Sequence, residues 1–517
     1  MKLNYKRTVF VGFAFFLICA FWQIYDATIA MTLTNKFGMS QTASGFVMAL
    51  DNILALFLLP LFGILSDRHQ GKSGRRTPFI RTGTILAVVF LMLLSFADNA
   101  QLRSIDRYSK VNDSATMELI YEEQKDTLLH TPDGEEFRLA DIYTKAEFAE
   151  LRTDSVVKEV NKFGREVEVK VYPRYVVPAR QACVAAVTHQ NPWKLVIFIG
   201  ILLMLLVSMA TFRTPAVALM PDVTPKPLRS KANAVINLMG NAGAIIILAL
   251  GSVLAVSNVK NAYMSYIGVY AIVGGLMLFA LAIFLLKVRE PQWVMDAQSV
   301  QHEEETEVSD GEKRKLTPGE KRSMFFLLSS IILWFFGYNA VTSKYTVYAQ
   351  SVLDKDAFLT LLLANAAAIL SYLPVGMIAS KIGRKKTILA GVAMLFVSFF
   401  AAAFMNAASP SWVMYICFAL AGIGWATINV NSFPMVVEMC SGSDVGRYTG
   451  FYYTASMAAQ SITPTISGLF MDNIAMTTLF PYATVFVGLA FVTMLLVMHG
   501  DNKVEAKRGL EALDIED

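Results

Sequence analysis

The stretch GILSDRHQGKSGRRTPFI, running from Gly63 to Ile80, decides how this chain is read. A long apolar run stops at Asp67, the basic side chains Arg68, Lys72, Arg75, Arg76 and Arg81 follow closely, and a second apolar run begins at once. Short loops dense in Lys and Arg stay on the inner side of a membrane, so the stretch reads as a cytoplasmic hairpin between two spans. Gly63 permits close helix contact. Asp67 beside Arg68, Arg75 and Arg76 can form charge-assisted hydrogen bonds that a helix movement would break, which makes the hairpin a candidate latch. A plain topology anchor would use the same basic residues, and both readings stay open at this level.

A weaker copy stands 313 positions later, where Gly376 to Ile382 lead into Gly383, Arg384, Lys385 and Lys386 between apolar runs. The same offset pairs Tyr25, Asp26 and Ala27 with Tyr338, Asn339 and Ala340, and Asn52 with Asn365. Matches repeated at one offset predict a duplicated half, a construction many transporters share. Composition agrees with a membrane setting. The 517 residues are 55% apolar and only 17% charged, with a mean hydropathy of +0.47, too oily for a soluble globule of this size. The net charge of +4 reflects loop anchors. No basic helix interleaved with aromatics points to a nucleic acid partner. Cys19, Cys183, Cys417 and Cys440 lack metal-ligand spacing, so neither a metal, a cofactor nor a disulfide framework is expected. Lys2, Lys6 and Arg7 precede a long span without a small-residue cleavage site, which reads as a retained first helix.

Twelve apolar runs reach spanning length, at roughly 8–33, 42–66, 78–98, 192–219, 231–256, 263–287, 324–350, 357–380, 387–406, 411–438, 447–471 and 478–499. With both termini inside, the Lys and Arg residues of the termini and short loops fall on the inner face apart from Lys36, Lys260 and Lys355 in the short outer loops, and the long outer segment 99–191 is exempt from the charge rule. The predicted fold is an all-α membrane protein, with twelve transmembrane helices in two pseudo-symmetric six-helix bundles and a small α+β extracytoplasmic insertion between helices 3 and 4. Residues 1–98 carry helices 1–3, 99–191 the insertion, and 192–287 helices 4–6. Residues 288–323 form a charged cytoplasmic linker, 324–499 the C-terminal bundle and 500–517 a cytoplasmic tail. Within the insertion, Thr131 to Gly134 predict a hairpin turn, 141–163 a helix and 166–177 a strand-like alternation.

An ionisable side chain inside a span costs about 2.5–3.5 kcal/mol on insertion scales, so each one asks for a reason. Asp26, Asp51, Arg213 and Lys344 are the ones predicted within spans, two acids and two bases that suggest a neutral interior set. Asp51 falls roughly nine residues into helix 2, about 14 Å along the axis at 1.5 Å per residue, and is the first candidate for ion coupling, with Asp26 and Arg213. Trp22, Gln23, Tyr25 and Asp26 offer an aromatic face and acceptors for vicinal hydroxyls. Tyr338 and Asn339 form their counterpart, and Asn52 adds an amide. Asn237 and Asn241 recur at helical spacing on helix 5, and Trp425 and Asn429 make a second polar and aromatic wall on helix 10. Lys344 sits near a span end, where lysines snorkel to the interface. Asp222 and Glu438 close helices 4 and 10 beside Arg75, Arg76 and Arg384, Lys385, which predicts charge clusters holding an inner gate shut.

Gly63 to Arg76 resembles the helix 2–3 signature of the major facilitator superfamily, and Gly74 to Phe79 resembles its sucrose-carrier branch. Pro215 to Asp222, followed by Arg229 to Asn233, is similar to the helix 4–5 region of glycoside-pentoside-hexuronide cation symporters. The resemblance covers the twelve spans and leaves out residues 99–191. It implies a rocker-switch carrier in the plasma (inner) membrane that imports a glycoside, a disaccharide such as sucrose or maltose, with protons or sodium, and works as a monomer in the lipid bilayer. The chain departs from melibiose-type carriers, which place an acid where Arg213 stands and carboxylates where Ala55 and Leu59 stand. It departs from plant sucrose carriers near Leu206. Coupling therefore falls to Asp26 or Asp51. A lysolipid or drug carrier, and a non-transporting sugar sensor built on the insertion, are the other readings. No nucleophile–base pair suggests an enzyme.

Overall fold

The computed structural model describes residues 3–160, 166–225, 228–302, 317–437, 439 and 445–499. Helices α1 (Tyr5–Met31), α2 (Gln41–Arg68) and α3 (Thr77–Ser104) lead into the insertion, which contributes α4 (Asp106–Ser109), α5 (Ser114–Gln124), α6 (Leu139–Ile142), α7 (Lys145–Glu150) and α8 (Val177–Gln190). Helices α9 (Trp193–Val223), α10 (Arg229–Val253) and α11 (Ile267–Lys287) complete the first half. After α12 (Glu290–His302), the second half runs through α13 (Pro318–Tyr348), α14 (Ala357–Ile382), α15 (Arg384–Ala402), α16 (Ser411–Val437), α17 (Val445–Asn473) and α18 (Leu479–Leu495).

Among the described residues, ten helices are long and apolar enough to cross a membrane: all the long ones except α14 and α17. The lower hydropathy of α17 follows from its place in the interior, where Ser456, Thr463 and Ser467 are buried polar residues. Large apolar side chains such as Phe57, Leu286 and Leu370 point away from the protein, as lipid-facing positions must.

The duplication read from the sequence recurs in the packing. In the first half α1 packs on α10 and α11, α3 on α9 and α11, and α2 on α9. In the second half α13 packs on α17 and α18, α15 on α16 and α18, and α14 on α16, the same scheme element for element. Both first helices, α1 and α13, end in a π-helical turn, at Thr32–Lys36 and Ala349–Leu353. The halves meet through α2 against α17 and α10 against α14, with α1 facing α13. Two glycines set the α2–α17 approach. A Cβ on Gly45 would stand 2.0 Å from the Pro464 carbonyl oxygen, and one on Gly468 would stand 2.3 Å from that of Gln41.

The insertion departs from its sequence reading. The Thr131 to Gly134 turn is present, closed by Gly134 N–H donating to Thr131 O at 2.9 Å, and joins strands β1 (Leu129–His130) and β2 (Glu136–Phe137). The helix expected over 141–163 shrinks to α7, where Thr144 and Glu147 form a capping box. Strand β3 (Val156–Val160) follows and pairs with β4 (Glu166–Lys170). The expected strand over 166–177 stops at Lys170, and α8 follows it. Pro178, at the start of α8, fits the first helical turn, where its missing N–H leaves no bond unmade. The charged segment after α11 also begins as a helix, α12.

Candidate functional site

A cavity of about 220 Å³ lies where α1, α2, α9, α13 and α17 converge. The first half lines it with Trp22, Asp26, Met48, Asp51, Asn52 and Arg213, the second with Asn339, Thr342, Ser343, Gln460 and Pro464. Asp26 and Asn339, one repeat apart in sequence, thus line one space from opposite halves. Asn52 donates to Asp51 Oδ1 at 2.8 Å, and the Arg213 guanidinium stands 5.5 Å from the centre of the Trp22 ring, within the range of a cation–π contact. Trp22 Nε1 and Asn339 Nδ2 are buried N–H donors without a partner among the described residues. A buried donor left unmet is costly, and a ligand oxygen in the cavity would satisfy both.

Thr342 and Ser343 follow Asn339 by three and four residues, and Pro464 follows Gln460 by four. Helical spacing was the signal that could have found them from their neighbours. Other expected residues lie outside this lining. Tyr25 is 2% exposed, with its ring against Phe21 and Trp22. Tyr338 stacks on Trp425 with ring centres 3.6 Å apart. Gln23, Asn237, Asn241 and Asn429 are half-buried elsewhere. Asn365, the repeat partner of Asn52, donates to Leu361 O of its own helix.

Lys344 does not snorkel. It is fully buried and donates across the halves, to Gln41 O at 2.5 Å and Ser44 Oγ at 2.9 Å. Asp472 grips the same helix end, accepting from Gln41 N at 2.8 Å and from Thr42 N and Oγ1 at 2.7 and 2.6 Å. A carboxylate at a helix N-terminus is favoured by the helix dipole, so α13 and α17 together hold the start of α2. On the same face Asp356 accepts from Ser252 and Ser257, and Asn35 donates to Gln350. The face that carries the insertion is stitched shut. Removing Lys344 from the central set changes its charge balance: the cavity has two carboxylates and one guanidinium.

Lys36, read as an outer-loop lysine, is instead fully buried by the π turn that prolongs α1. It pairs with Asp98 Oδ2 at 2.8 Å and lies 3.6 Å from the centre of the Tyr266 ring.

At the opposite, basic face the first half carries a cluster of ion pairs. Asp222 bonds Arg75 at 2.7 Å and Arg76 at 2.8 Å, and Arg76 also reaches Asp67 and Ser66. Gly63 sits against Thr214, whose Cγ2 would lie 3.2 Å from an added Cβ. Arg68 ends α2 exposed. The sequence reading missed Glu290, the first residue of α12. It is 1% exposed and accepts from the backbone N–H groups of Arg75, Arg76 and Thr77 at 2.7–2.8 Å, capping α3. In the second half, Lys385 donates to Leu495 O at 3.0 Å and Arg384 is buried. Glu438 lies outside the described residues.

The sequence pattern of the Major Facilitator Superfamily matches residues 11–105, 179–371 and 358–513, skipping most of the insertion. No curated protein matches the chain. Among solved structures it is similar to the xylose transporter XylE from E. coli in an inward-open conformation, with a TM-score of 0.57, 13% identity and 99% of each chain covered. It is also similar to a variant of the nucleoside transporter NupG, with a TM-score of 0.52 at 12% identity over 96% of this chain and 100% of that one. A third likeness is to a bacterial homologue of the iron transporter ferroportin in an inward-facing state, with a TM-score of 0.55 at 12% identity over 96% of this chain and 99% of the other. At such identities the likeness is one of fold.

Proposed function

The chain belongs to the major facilitator superfamily and is a membrane transporter; from that premise we propose that it imports a glycoside, a disaccharide such as sucrose or maltose, by proton-coupled alternating access. The observation that carries this reading is the composition of the central cavity. Two carboxylates, Asp26 and Asp51, share it with one guanidinium, Arg213, so the set is one positive charge short of neutral, and a single bound proton supplies it. A net charge buried in a span is costly, so the loaded cavity crosses the membrane most readily with one proton bound beside the solute.

The unmet donors of Trp22 and Asn339 favour a hydroxyl-rich ligand, and the Trp22 ring offers a face to sugar C–H groups. The lining holds Met48 but no Phe among the described residues, which speaks against a lysolipid. In the proposed arrangement twelve spans, α14 and α17 included, cross the plasma membrane. The termini and the basic hairpins face the cytoplasm, the insertion faces outward, and the protein works as a monomer. The sealed face is then the outer one. Asp67, Arg75, Arg76 and Asp222, with Gly63, Arg68, Arg384, Lys385 and Glu438, serve the inner gate.

Counterflow of labelled sucrose and maltose into proteoliposomes, with and without imposed pH and sodium gradients, tests the reading. Asp51→Asn is expected to abolish gradient-driven accumulation while sparing exchange, and Asp26→Ala to weaken solute binding itself. Normal accumulation by both variants would sink the assignment of coupling to these carboxylates. Accumulation that follows sodium and ignores pH would sink the proton.

A further inference from the structure

Arg180, on α8 of the insertion, is 2% exposed, yet no carboxylate lies within ion-pair distance of it among the described residues. Its Nη2 reaches Lys110 O at 3.3 Å and Met117 Sδ at 3.7 Å. Nε and Nη1 have no partner among the described residues. The rings of Tyr172 and Tyr263 stand with their centres 5.7 and 5.4 Å from the guanidinium carbon. Cation–π contacts of this kind soften a buried charge, but they leave the in-plane N–H groups unmet. A guanidinium directs its donors in a planar fork suited to an anion, and a buried charge without a counter-charge is strongly unfavourable.

The cavity beside Arg180 explains what fits. It measures about 10 Å³ and is lined also by Asn35, Tyr172, Tyr263, Gln350 and Ser351. The amides are engaged elsewhere, since Asn35 donates to Gln350 Oε1 and Gln350 Nε2 donates to Asn258 O. Ser351 Oγ, by contrast, is buried and without a partner among the described residues, a second donor for the same space. The space is narrow, and a monatomic anion needs less of it than a carboxylate, a phosphate or a sugar. Water would satisfy the hydrogen bonds and leave the charge. We infer that this junction of the insertion with both halves binds a single chloride ion, held by Arg180 and Ser351. The ion ties α8 to the π turn at the end of α13, and so favours the arrangement in which the insertion face is closed.

The test is thermal unfolding of the purified full-length protein in detergent while sodium gluconate is exchanged for sodium chloride at constant salt. A ligand that binds only the folded state raises the midpoint along a saturating curve. Chloride is expected to raise it by a few degrees with saturation, bromide to do the same, and gluconate to do nothing. Arg180→Gln is expected to flatten the curve, and Ser351→Ala to raise the half-saturating chloride concentration several-fold. If Arg180→Gln yields no folded protein, equilibrium dialysis of the native protein against radioactive chloride decides: one ion per chain is expected. A midpoint indifferent to chloride, an unchanged response in Arg180→Gln, or no ion retained on dialysis would mean that the space holds water only, and would overturn the proposal.

Discussion

Asp26, Asp51 and Arg213 were legible in the sequence because charges inside apolar runs are rare and expensive, and the structure gathers all three around one cavity. Lys344 and Lys36 were legible as charges but not as contacts. The partners of Lys344 are a backbone carbonyl and a serine of the other half, and no local pattern announces such a meeting. Lys36 was misplaced because a π turn carries the first helix past its apolar run. Burial also decides chemistry at Cys183, a core residue of the insertion that is fully buried. Removal from water pushes its thiol up to about 12. The thiolate is the reactive form, and at pH 8 its fraction is about one in ten thousand. N-ethylmaleimide at pH 8 is expected to spare Cys183 in the folded protein and to label it after denaturation, as read by peptide mass mapping. Rapid labelling of the native state would contradict this burial.

Among elements, the spans follow from hydropathy, and the insertion shows where that signal ends. Its Val- and Tyr-rich 171–177 region has strand propensity, but Pro173 and Pro178 deny ladder hydrogen bonds. The chain coils into a π turn and α8 instead. The meeting of α2 with α17 is another feature no single-chain periodicity reveals, and it rests on glycine. Overpacking a tight contact costs about 1–3 kcal/mol, which is about fivefold to a hundredfold in the population of the sealed arrangement. Gly45→Val is therefore expected to lower the unfolding midpoint and to slow counterflow by about that factor. Gly200, with nothing within 4 Å of an added Cβ, supplies the control: Gly200→Ala is expected to leave both unchanged. Equal behaviour of the two variants would count against the close approach.

At the scale of the molecule, the two bundles share one packing scheme, the arrangement a rocking carrier needs, and the insertion face is closed chiefly by α13 and α17 holding the start of α2. Asp472→Asn keeps the shape and removes the charge that the helix dipole favours. It is expected to bring the cavity into contact with the insertion side more often. A Thr342→Cys reporter should then react several-fold faster with a membrane-impermeant maleimide added from that side, and an unchanged rate would show that Asp472 is not what holds the face closed. The insertion itself is rooted in the first half and, among the described residues, touches the second at its hairpin tip and at Lys170 as well as at the Arg180 junction. Pro132 O accepts from Thr477 N at 3.2 Å beside Gly134, which abuts Ile474, and Lys170 pairs with Asp354. Whatever opens that side has to unbutton the hairpin tip from its neighbour each time, so a bulky molecule perched on Pro132 to Gly134 would act as a brake on turnover without ever entering the passage.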